Sequence, residues 1–176
     1  MRFNRVGIEQ LSQLVDAMVA AENHSGSETP RCFGLVGTLG AGKTRLCQEI
    51  ARACGIDPAD VTSPTFTLIK SYDCSGDEIS GGRPMPRSLH HLDLYRVANE
   101  DELWELGLEE LWETPGCWTL IEWADRFADC LPEHTIWVRI EIEPSVSHEE
   151  PSLRTIEFEC QTAEQTEWME DVRSRC

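Results

Sequence analysis

This sequence has few basic residues and no long apolar segment, and both shortages restrict what the protein can do. Across its 176 residues, 15 Lys and Arg stand against 32 Asp and Glu, which gives a formal net charge of −17. Because counterion release at phosphate backbones needs clustered Lys and Arg side chains, we expect the chain not to bind DNA or RNA unaided, and any contact with nucleic acid to be indirect, through a basic partner protein. A purely solubilising role explains most of the acidic side chains equally well.

Membrane segments and cysteine pairs are missing as well. No run of about 18 apolar residues occurs, and residues 1–5 contain no apolar signal core. We therefore expect a cytoplasmic protein that binds no membrane. The eight cysteines include no C-x-x-C pair, so free thiols are expected rather than a disulfide framework or a metal site. No Asn-Lys-x-Asp sequence is present, which disfavours a GTPase.

The remaining composition is that of a folded domain. Apolar residues make up 40% of the chain, with six Trp and five Phe, and this rules out a disordered chain. The length suits one domain. We expect residues 1–160 to form a single domain and residues 161–176 to be an acidic C-terminal tail with a short helix.

A glycine-rich motif follows an apolar run, Cys32 to Val36, and precedes a helix-like segment. It reads G-x-x-x-x-G-K-[ST], the sequence of a phosphate-binding loop in its expected strand-loop-helix setting. Glycines let backbone N–H groups surround phosphate oxygens, and the following helix presents its first N–H groups to the same anion. Lys43 would reach the outer phosphates, and the Thr44 hydroxyl would hold Mg²⁺. The predicted nucleotide-binding residues here are Gly37, Thr38, Leu39, Gly40, Ala41, Gly42, Lys43, Thr44 and Arg45.

Hydrophobic periodicity predicts the remaining elements. Helices are expected at 8–22, at 43–54 with Gly55 after the last turn, from an N-cap at Asn99 to Gly107, and at 163–173. Strands are expected at 2–6, 32–36, 63–69, 88–93, 118–122, 135–142 and 156–160. Residues 23–30 and 74–87 are expected to be loops, the second between two hairpin strands. The last two strands should pair across residues 143–152.

Two apolar strands each deliver a carboxylate at their carboxyl end: Asp93 and Glu122. In a parallel sheet these ends meet at one edge, where ligands bind. We therefore expect Lys43, Asp93 and Glu122 to be catalytic, and Thr44, Glu122 and Asp93 to hold Mg²⁺. A solvated acid or a helix N-cap is the alternative for either carboxylate.

Other side chains near these strand ends remain open to two interpretations. Ser63 and Thr65 suit either a segment that touches the γ-phosphate or an ordinary surface turn. His90 and His91 alternate along one strand, and a packed histidine is the favoured interpretation for the one that faces the core. Trp123 either shields the site from water or belongs to the core.

The order of the motifs resembles the TsaE family, small bacterial P-loop ATPases needed to make threonylcarbamoyladenosine in tRNA. The matching segments cover residues 5–145 and are Gly37 to Thr44, Ser63-Pro-Thr-Phe-Thr-Leu68, His91-Leu-Asp-Leu-Tyr-Arg96, Glu102-Leu103 with Leu106-Gly107, and Ile121-Glu-Trp123. The resemblance implies a P-loop α/β fold with a mixed, mainly parallel sheet flanked by helices and extended by antiparallel strands. It implies ATP binding and slow hydrolysis that resets a partner complex of the TsaD and TsaB proteins.

The resemblance also implies roles for individual residues. Thr44 and Glu122 match the Mg²⁺ positions, and Asp93 matches the strand-end aspartate tied to hydrolysis. Thr65 matches a switch-like threonine, and Trp123 matches the tryptophan after the glutamate; both are predicted to bind the nucleotide. The first helix, near Glu9, matches the region that lies over the adenine.

This sequence departs from the family pattern in a few places. Thr38 replaces a common Asp, Arg45 a common small residue and Ala124 a common Pro, and the 74–87 loop is long. These changes bear on loop geometry and partner fit more than on nucleotide binding.

Two other functions remain open at this point. One is a small-molecule kinase, for which Arg83 and Arg87 would be the only basic side chains of a lid. The other is a binding module that responds to nucleotide and for which hydrolysis is incidental.

Overall fold

The computed structural model describes residues 1–25, 28–74, 86–144 and 152–176. The strands are β1 (Arg2–Val6), β2 (Arg31–Val36), β3 (Ile69–Asp73), β4 (Ser88–Asp93), β5 (Cys117–Glu122), β6 (Ile136–Ile142) and β7 (Arg154–Glu159). The helices are α1 (Ile8–Ser25), α2 (Lys43–Ala53), α3 (Glu100–Glu105), α4 (Glu109–Glu113) and α5 (Ala163–Arg175), with a 3-10 helix at Ala124–Cys130.

All seven strands form one sheet in the order β1-β7-β6-β2-β5-β4-β3. The four central strands β6, β2, β5 and β4 are parallel, and β1, β7 and β3 are added antiparallel. This confirms the predicted mixed α/β sheet. The register sets Glu122 beside Leu35 and Asp93 beside Glu122, so the carboxyl ends of β2, β4 and β5 share one edge.

Each face of the sheet carries its own hydrophobic core. On one face, α1, α2 and α5 pack on side chains such as Phe33 and Trp118. On the other face, α3, α4 and the 3-10 helix pack on Cys32, Leu92 and Ile121. Every residue of β2 and β5 is buried, as expected for parallel strands covered on both faces.

One side of helix α5 belongs to the first core, whereas the sequence predicted only a short helix in an acidic tail. A capping box between Thr162 and Gln165 begins the helix, and this arrangement satisfies N–H groups of the first turn. The Trp168 ring packs edge-on against Trp118 with centroids 6.0 Å apart. The buried Arg31 guanidinium lies 4.4 Å from the Trp168 ring, which adds a cation–π contact.

The predicted strand at residues 63–69 was wrong. The segment turns instead: Pro64 O accepts hydrogen bonds from the N–H groups of Thr67 at 3.0 Å and Leu68 at 2.6 Å. Leu68 has a φ of 63°, which no extended strand contains. β-branched composition favoured a strand, but the turn beginning at Pro64 and the side-chain bonds of Ser63 and Thr65 to Asp93 outweigh that preference.

Other boundaries differ less. Helix α1 runs to Ser25, into the expected 23–30 linker, and β7 ends one residue before Cys160. Helix α4 and the 3-10 helix were not predicted. The Asn99 side chain does accept from Glu102 N at 3.0 Å, which confirms that N-cap. Most of the 74–87 loop and of the 143–152 connection lies outside the described residues. Within the described part of the chain, no helix combines the length and apolar character needed to cross a membrane.

Replacing Trp168 with alanine tests whether α5 belongs to the core. Because the indole is buried against two aromatic rings, we expect the free energy of unfolding to fall by about 3–5 kcal/mol. Urea denaturation followed by circular dichroism measures this change. Glu167→Ala on the exposed side of the same helix is the control and should change it by less than about 0.5 kcal/mol. Equal, small effects of both variants would show that α5 contributes little to the fold.

Candidate functional site

The glycine-rich loop runs from the end of β2 to the start of α2, and two of its positions favour glycine, one for lack of space and one for its backbone conformation. A Cβ on Gly37 would lie 2.5 Å from the Ile140 carbonyl oxygen, so no other residue fits there. Gly42 is the N-cap of α2 with φ 115°, a backbone conformation that favours glycine. Among the described residues no side chain caps this helix, so its first N–H groups are available to an anion.

Lys43 points back into the loop. Its ammonium donates to the carbonyl oxygens of Gly37 at 2.8 Å and Thr38 at 3.1 Å. The same nitrogen lies 3.7 Å from the centre of the Trp123 ring. Burial lowers the pKa of Lys43 from its ordinary value, while the carboxylates of Glu122 and Asp93 act in the opposite direction. The loop therefore holds one buried cation where phosphate oxygens would be expected.

The Glu122 carboxylate joins three elements at this edge. Its Oε1 accepts a hydrogen bond from the Thr44 hydroxyl of α2 at 2.7 Å. His91 Nε2 of β4 lies 2.8 Å from the same oxygen, and a carboxylate oxygen can only accept, so the ring donates. His91 is fully buried. Thr44 and Glu122 thus offer adjacent oxygen ligands of the kind Mg²⁺ prefers.

His91 has a more specific position than the packed histidine expected from the sequence. Strand alternation correctly separated a core-facing from an outward-facing histidine, but it did not reveal the bond to Glu122. That bond fixes the carboxylate toward Thr44, as partners of metal-binding side chains commonly do. Only the parallel pairing of β4 with β5, which the sequence does not specify residue by residue, brings His91 and Glu122 together.

Asp93 binds a different set of partners. Its Oδ2 accepts from the hydroxyls of Ser63 at 2.8 Å and Thr65 at 2.5 Å, and Oδ1 accepts from Tyr95 N at 3.0 Å. The structure therefore brings Asp93 together with the two predicted hydroxyl residues. Its carboxylate holds the 63–68 turn against the end of β4, next in register to Glu122.

Trp123 lies directly beside the loop. Its φ of 60° is left-handed, which is unusual for a bulky residue and costs backbone energy. The conformation turns the indole so that it covers Lys43 and packs on Tyr95 with ring centroids 5.0 Å apart. A strained backbone that places an aromatic ring over a buried cation is typical of a binding site.

A cavity of about 1030 Å³ opens between the start of α1 and the loop. Glu9, Arg45 and Arg154 border it, together with apolar side chains of Ile8, Leu11 and Leu153. Arg45 also pairs with Glu49 at 2.7 Å. A mixed polar and apolar cavity beside a phosphate loop has the size and lining expected for a nucleoside. A smaller cavity, of about 630 Å³, lies between β6, β7 and α5 and has none of the predicted site residues in its lining.

Arg154 was not among the predicted residues. From the start of β7, its guanidinium donates to the carbonyl oxygens of Ala41 at 2.7 Å and Gly40 at 3.4 Å. These bonds tie two carbonyl groups of the loop to β7. No sequence signal marks this residue, because 113 positions separate it from Ala41 and only the β6–β7 pairing brings it near.

Comparison with known proteins agrees with this geometry. A sequence model described as threonylcarbamoyl adenosine biosynthesis protein TsaE matches residues 8–151. The chain belongs to the TsaE family. The tRNA threonylcarbamoyladenosine biosynthesis protein TsaE of Haemophilus influenzae is 36% identical over 107 residues, 61% of this chain and 60% of that protein. The protein of that name from Bacillus subtilis is 39% identical over 106 residues, 60% of this chain and 58% of that protein.

Each of these two alignments spans only about 60% of the relative's own length. A crystal structure of Bacillus subtilis YdiB superposes with a TM-score of 0.68 at 23% identity, covering 99% of this chain and 94% of that one. At this identity the likeness supports the fold. The TsaE match contains the loop, Thr65, Asp93, Glu122 and Trp123, and it ends before Arg154.

Arg154→Gln tests whether β7 supports the loop. Because the variant loses charge-assisted bonds to Ala41 and Gly40, we expect the Kd for a fluorescent ADP analogue to rise about tenfold. Arg139→Gln, at an exposed position of the neighbouring strand β6, removes the same charge and should leave the Kd within about twofold. Equal weakening in both variants would indicate a general charge effect.

Proposed function

We propose that this protein binds and hydrolyses ATP with Mg²⁺ in the cytoplasm, and that it acts as an accessory in forming threonylcarbamoyladenosine in tRNA. The observation that carries the proposal is the bond between the Thr44 hydroxyl and the Glu122 carboxylate, 2.7 Å long, at the mouth of the glycine-rich loop. It joins the end of the phosphate loop to a strand-end acid, the pair from which P-loop NTPases build their Mg²⁺ site.

Nucleotide binding would use the loop and the neighbouring cavity. The β- and γ-phosphates would lie against the N–H groups from Gly40 to Thr44, with the Lys43 ammonium turning from loop carbonyls to phosphate oxygens. The base would enter the cavity beside Glu9. Trp123 would keep water from the phosphates, since its ring already covers Lys43.

The donor set fits Mg²⁺. A hydroxyl and a carboxylate lie within hydrogen-bond distance of each other, and both are hard oxygen ligands. Thr44 and Glu122 would hold the ion, which when bound neutralises charge on the phosphate oxygens. Asp93 is the second candidate carboxylate, and its present bonds to Ser63 and Thr65 favour a role through those hydroxyls.

We propose that Asp93 couples the presence of the γ-phosphate to the conformation of the exposed 63–68 turn. Its carboxylate holds the Ser63 and Thr65 hydroxyls at the end of β4, from where they would turn to donate to the γ-phosphate, and the freed carboxylate would help to position the attacking water. Loss of the γ-phosphate would return both hydroxyls to the Asp93 carboxylate, to which they bond here, and change the conformation of the 63–68 turn. Phe66 in that turn is 82% exposed, so a partner protein can sense the change.

The partners in this proposal are the TsaD and TsaB proteins. The net charge of −17 disfavours direct binding of tRNA, because the tRNA phosphates are negative as well. A basic partner protein would hold the tRNA instead. Among the described residues a kinase function has little support, because Arg87 is paired with Glu28. A nucleotide-dependent binding module without required hydrolysis remains the second candidate, since the exposed Phe66 suits it equally well.

Two substitutions separate nucleotide binding from hydrolysis. Lys43→Ala removes the cation of the loop, and we expect ATP affinity to fall about 100-fold in a calorimetric titration. Glu122→Gln keeps the shape but weakens Mg²⁺ binding. We expect it to retain ATP affinity within about tenfold and to lose turnover by a factor of about 100. Wild-type turnover in Glu122→Gln would contradict the metal assignment.

Stimulation by the partners tests the biological role. We expect slow phosphate release from ATP by this protein alone and faster release when purified TsaD and TsaB are added. Lys43→Ala in the same mixture is the control for contaminating ATPases. Nucleotide binding without stimulation or physical association would overturn the accessory role. Full activity of Glu122→Gln in a TsaE-depleted strain, with its ATPase lost, would favour the binding module.

A further inference from the structure

A buried thiol lies directly behind the Thr44–Glu122 pair. The Cys47 sulfur, a ring nitrogen of His91 and a carboxylate oxygen of Glu122 all lie within 4.8 Å of one another. Cys47 and His91 are fully buried and Glu122 is 3% exposed. Cys47 follows Lys43 by one helical turn of α2, so the two residues lie on the same face of the helix.

Within the described ranges no other group of three His, Cys, Asp or Glu side chains converges in this way. The absence of a C-x-x-C pair had predicted no metal site that uses the cysteines. Spacing along the sequence could not reveal this cluster, because its three members come from α2, β4 and β5. The fold, rather than a local motif, brings them together.

This set of atoms has the character of a zinc site. One thiolate, one imidazole and one carboxylate are common Zn²⁺ ligands, and tetrahedral coordination leaves a fourth position for water or another oxygen. A thiolate is a poor ligand for Mg²⁺, which prefers oxygen. We propose that Cys47, His91 and Glu122 bind Zn²⁺ when no nucleotide is bound.

The proton balance of this step is simple. The proton of the Cys47 thiol is released to solvent as the Zn–S bond forms. His91 gives up its bond to Glu122 and binds Zn²⁺ through one ring nitrogen, while its proton stays on the other. Nδ1 has no hydrogen-bond partner among the described residues, so the ring can change its tautomer without breaking a bond there.

Zinc at this position would hold the proposed ATPase inactive, and this part of the inference rests on the proposed function. Glu122 is shared between the two sites. A Zn²⁺ ion bound through Glu122 would draw the carboxylate away from Thr44, whose hydroxyl now bonds to it. Mg²⁺ with nucleotide and Zn²⁺ would therefore exclude each other.

Cobalt provides a direct test that does not need ATPase activity. Co²⁺ replaces Zn²⁺ in such sites, and a thiolate ligand gives a charge-transfer band in the near ultraviolet. Titrating the nucleotide-free protein with Co²⁺ should produce this band, and one equivalent of Zn²⁺ should remove it. Mg²⁺ with ADP, added first, should suppress it.

Matched cysteine variants assign the band. Cys47→Ala should abolish it. Cys47→Ser, which also lacks the thiolate, should abolish it too and replaces the alanine variant if that one does not fold. Cys32→Ala is the control, because Cys32 is equally buried and lies in the opposite core. It should retain the band. No band in the wild type, or a band that survives in both Cys47 variants, would overturn the zinc site.

Inhibition provides the second readout. Zn²⁺ should inhibit ATP hydrolysis by the wild type, and Cys47→Ala should require on the order of 100-fold more Zn²⁺ for the same inhibition. A cobalt band with no ATPase at all would retain the metal site and overturn the proposed function instead. Equal zinc sensitivity of wild type and Cys47→Ala would overturn the regulatory role.

Discussion

The Glu122 carboxylate forms the hydrogen bonds that connect three elements of the site. One oxygen accepts from Thr44 of α2 and from His91 of β4, while the residue itself ends β5. This network is buried, so each bond is stronger than it would be in water and an unpaired partner would be costly. The bond from Thr44 joins the first turn of α2, where the N–H groups face the loop, to the sheet edge.

The same edge explains why the two acids differ. Adjacent in register, Glu122 and Asp93 point their carboxylates at different partners: the first at the end of the phosphate loop, the second at the turn containing Ser63 and Thr65. A carboxylate bonded to the end of the phosphate loop suits a metal ligand, and one bonded to an exposed surface turn suits a sensor of the nucleotide state. This division of roles is what the proposed function requires.

Local signals predicted the parts of the site that are close in sequence. The spacing of Gly37, Gly42, Lys43 and Thr44 dictates a loop and a helix start, and apolar strands ending in acids predicted Asp93 and Glu122. Residues that reach the site only through strand pairing could not be predicted from the sequence. His91, Cys47 and Arg154 contact the site only because β4, β5 and β7 occupy their particular places in the sheet.

The 63–69 segment shows a different limit. Its β-branched residues favoured a strand, yet side-chain hydroxyls bonded to Asp93 and the turn at Pro64 hold it in another shape. Functional segments often break a local preference in this way, because distant contacts compensate for it. For a related reason the sequence predicted helix α5 but not its packing in the core. Its charged residues are visible in the sequence, whereas the pocket that receives Trp168 is formed only by the fold.

A crystal structure with ADP and Mg²⁺ tests the central claim most directly. The account predicts Mg²⁺ about 2.1 Å from the Thr44 hydroxyl oxygen, with the Glu122 carboxylate bound to the ion or to one of its waters. It also predicts the β-phosphate on the loop N–H groups. An ion held by Asp93 alone, with Glu122 still bonded only to His91, would contradict the account.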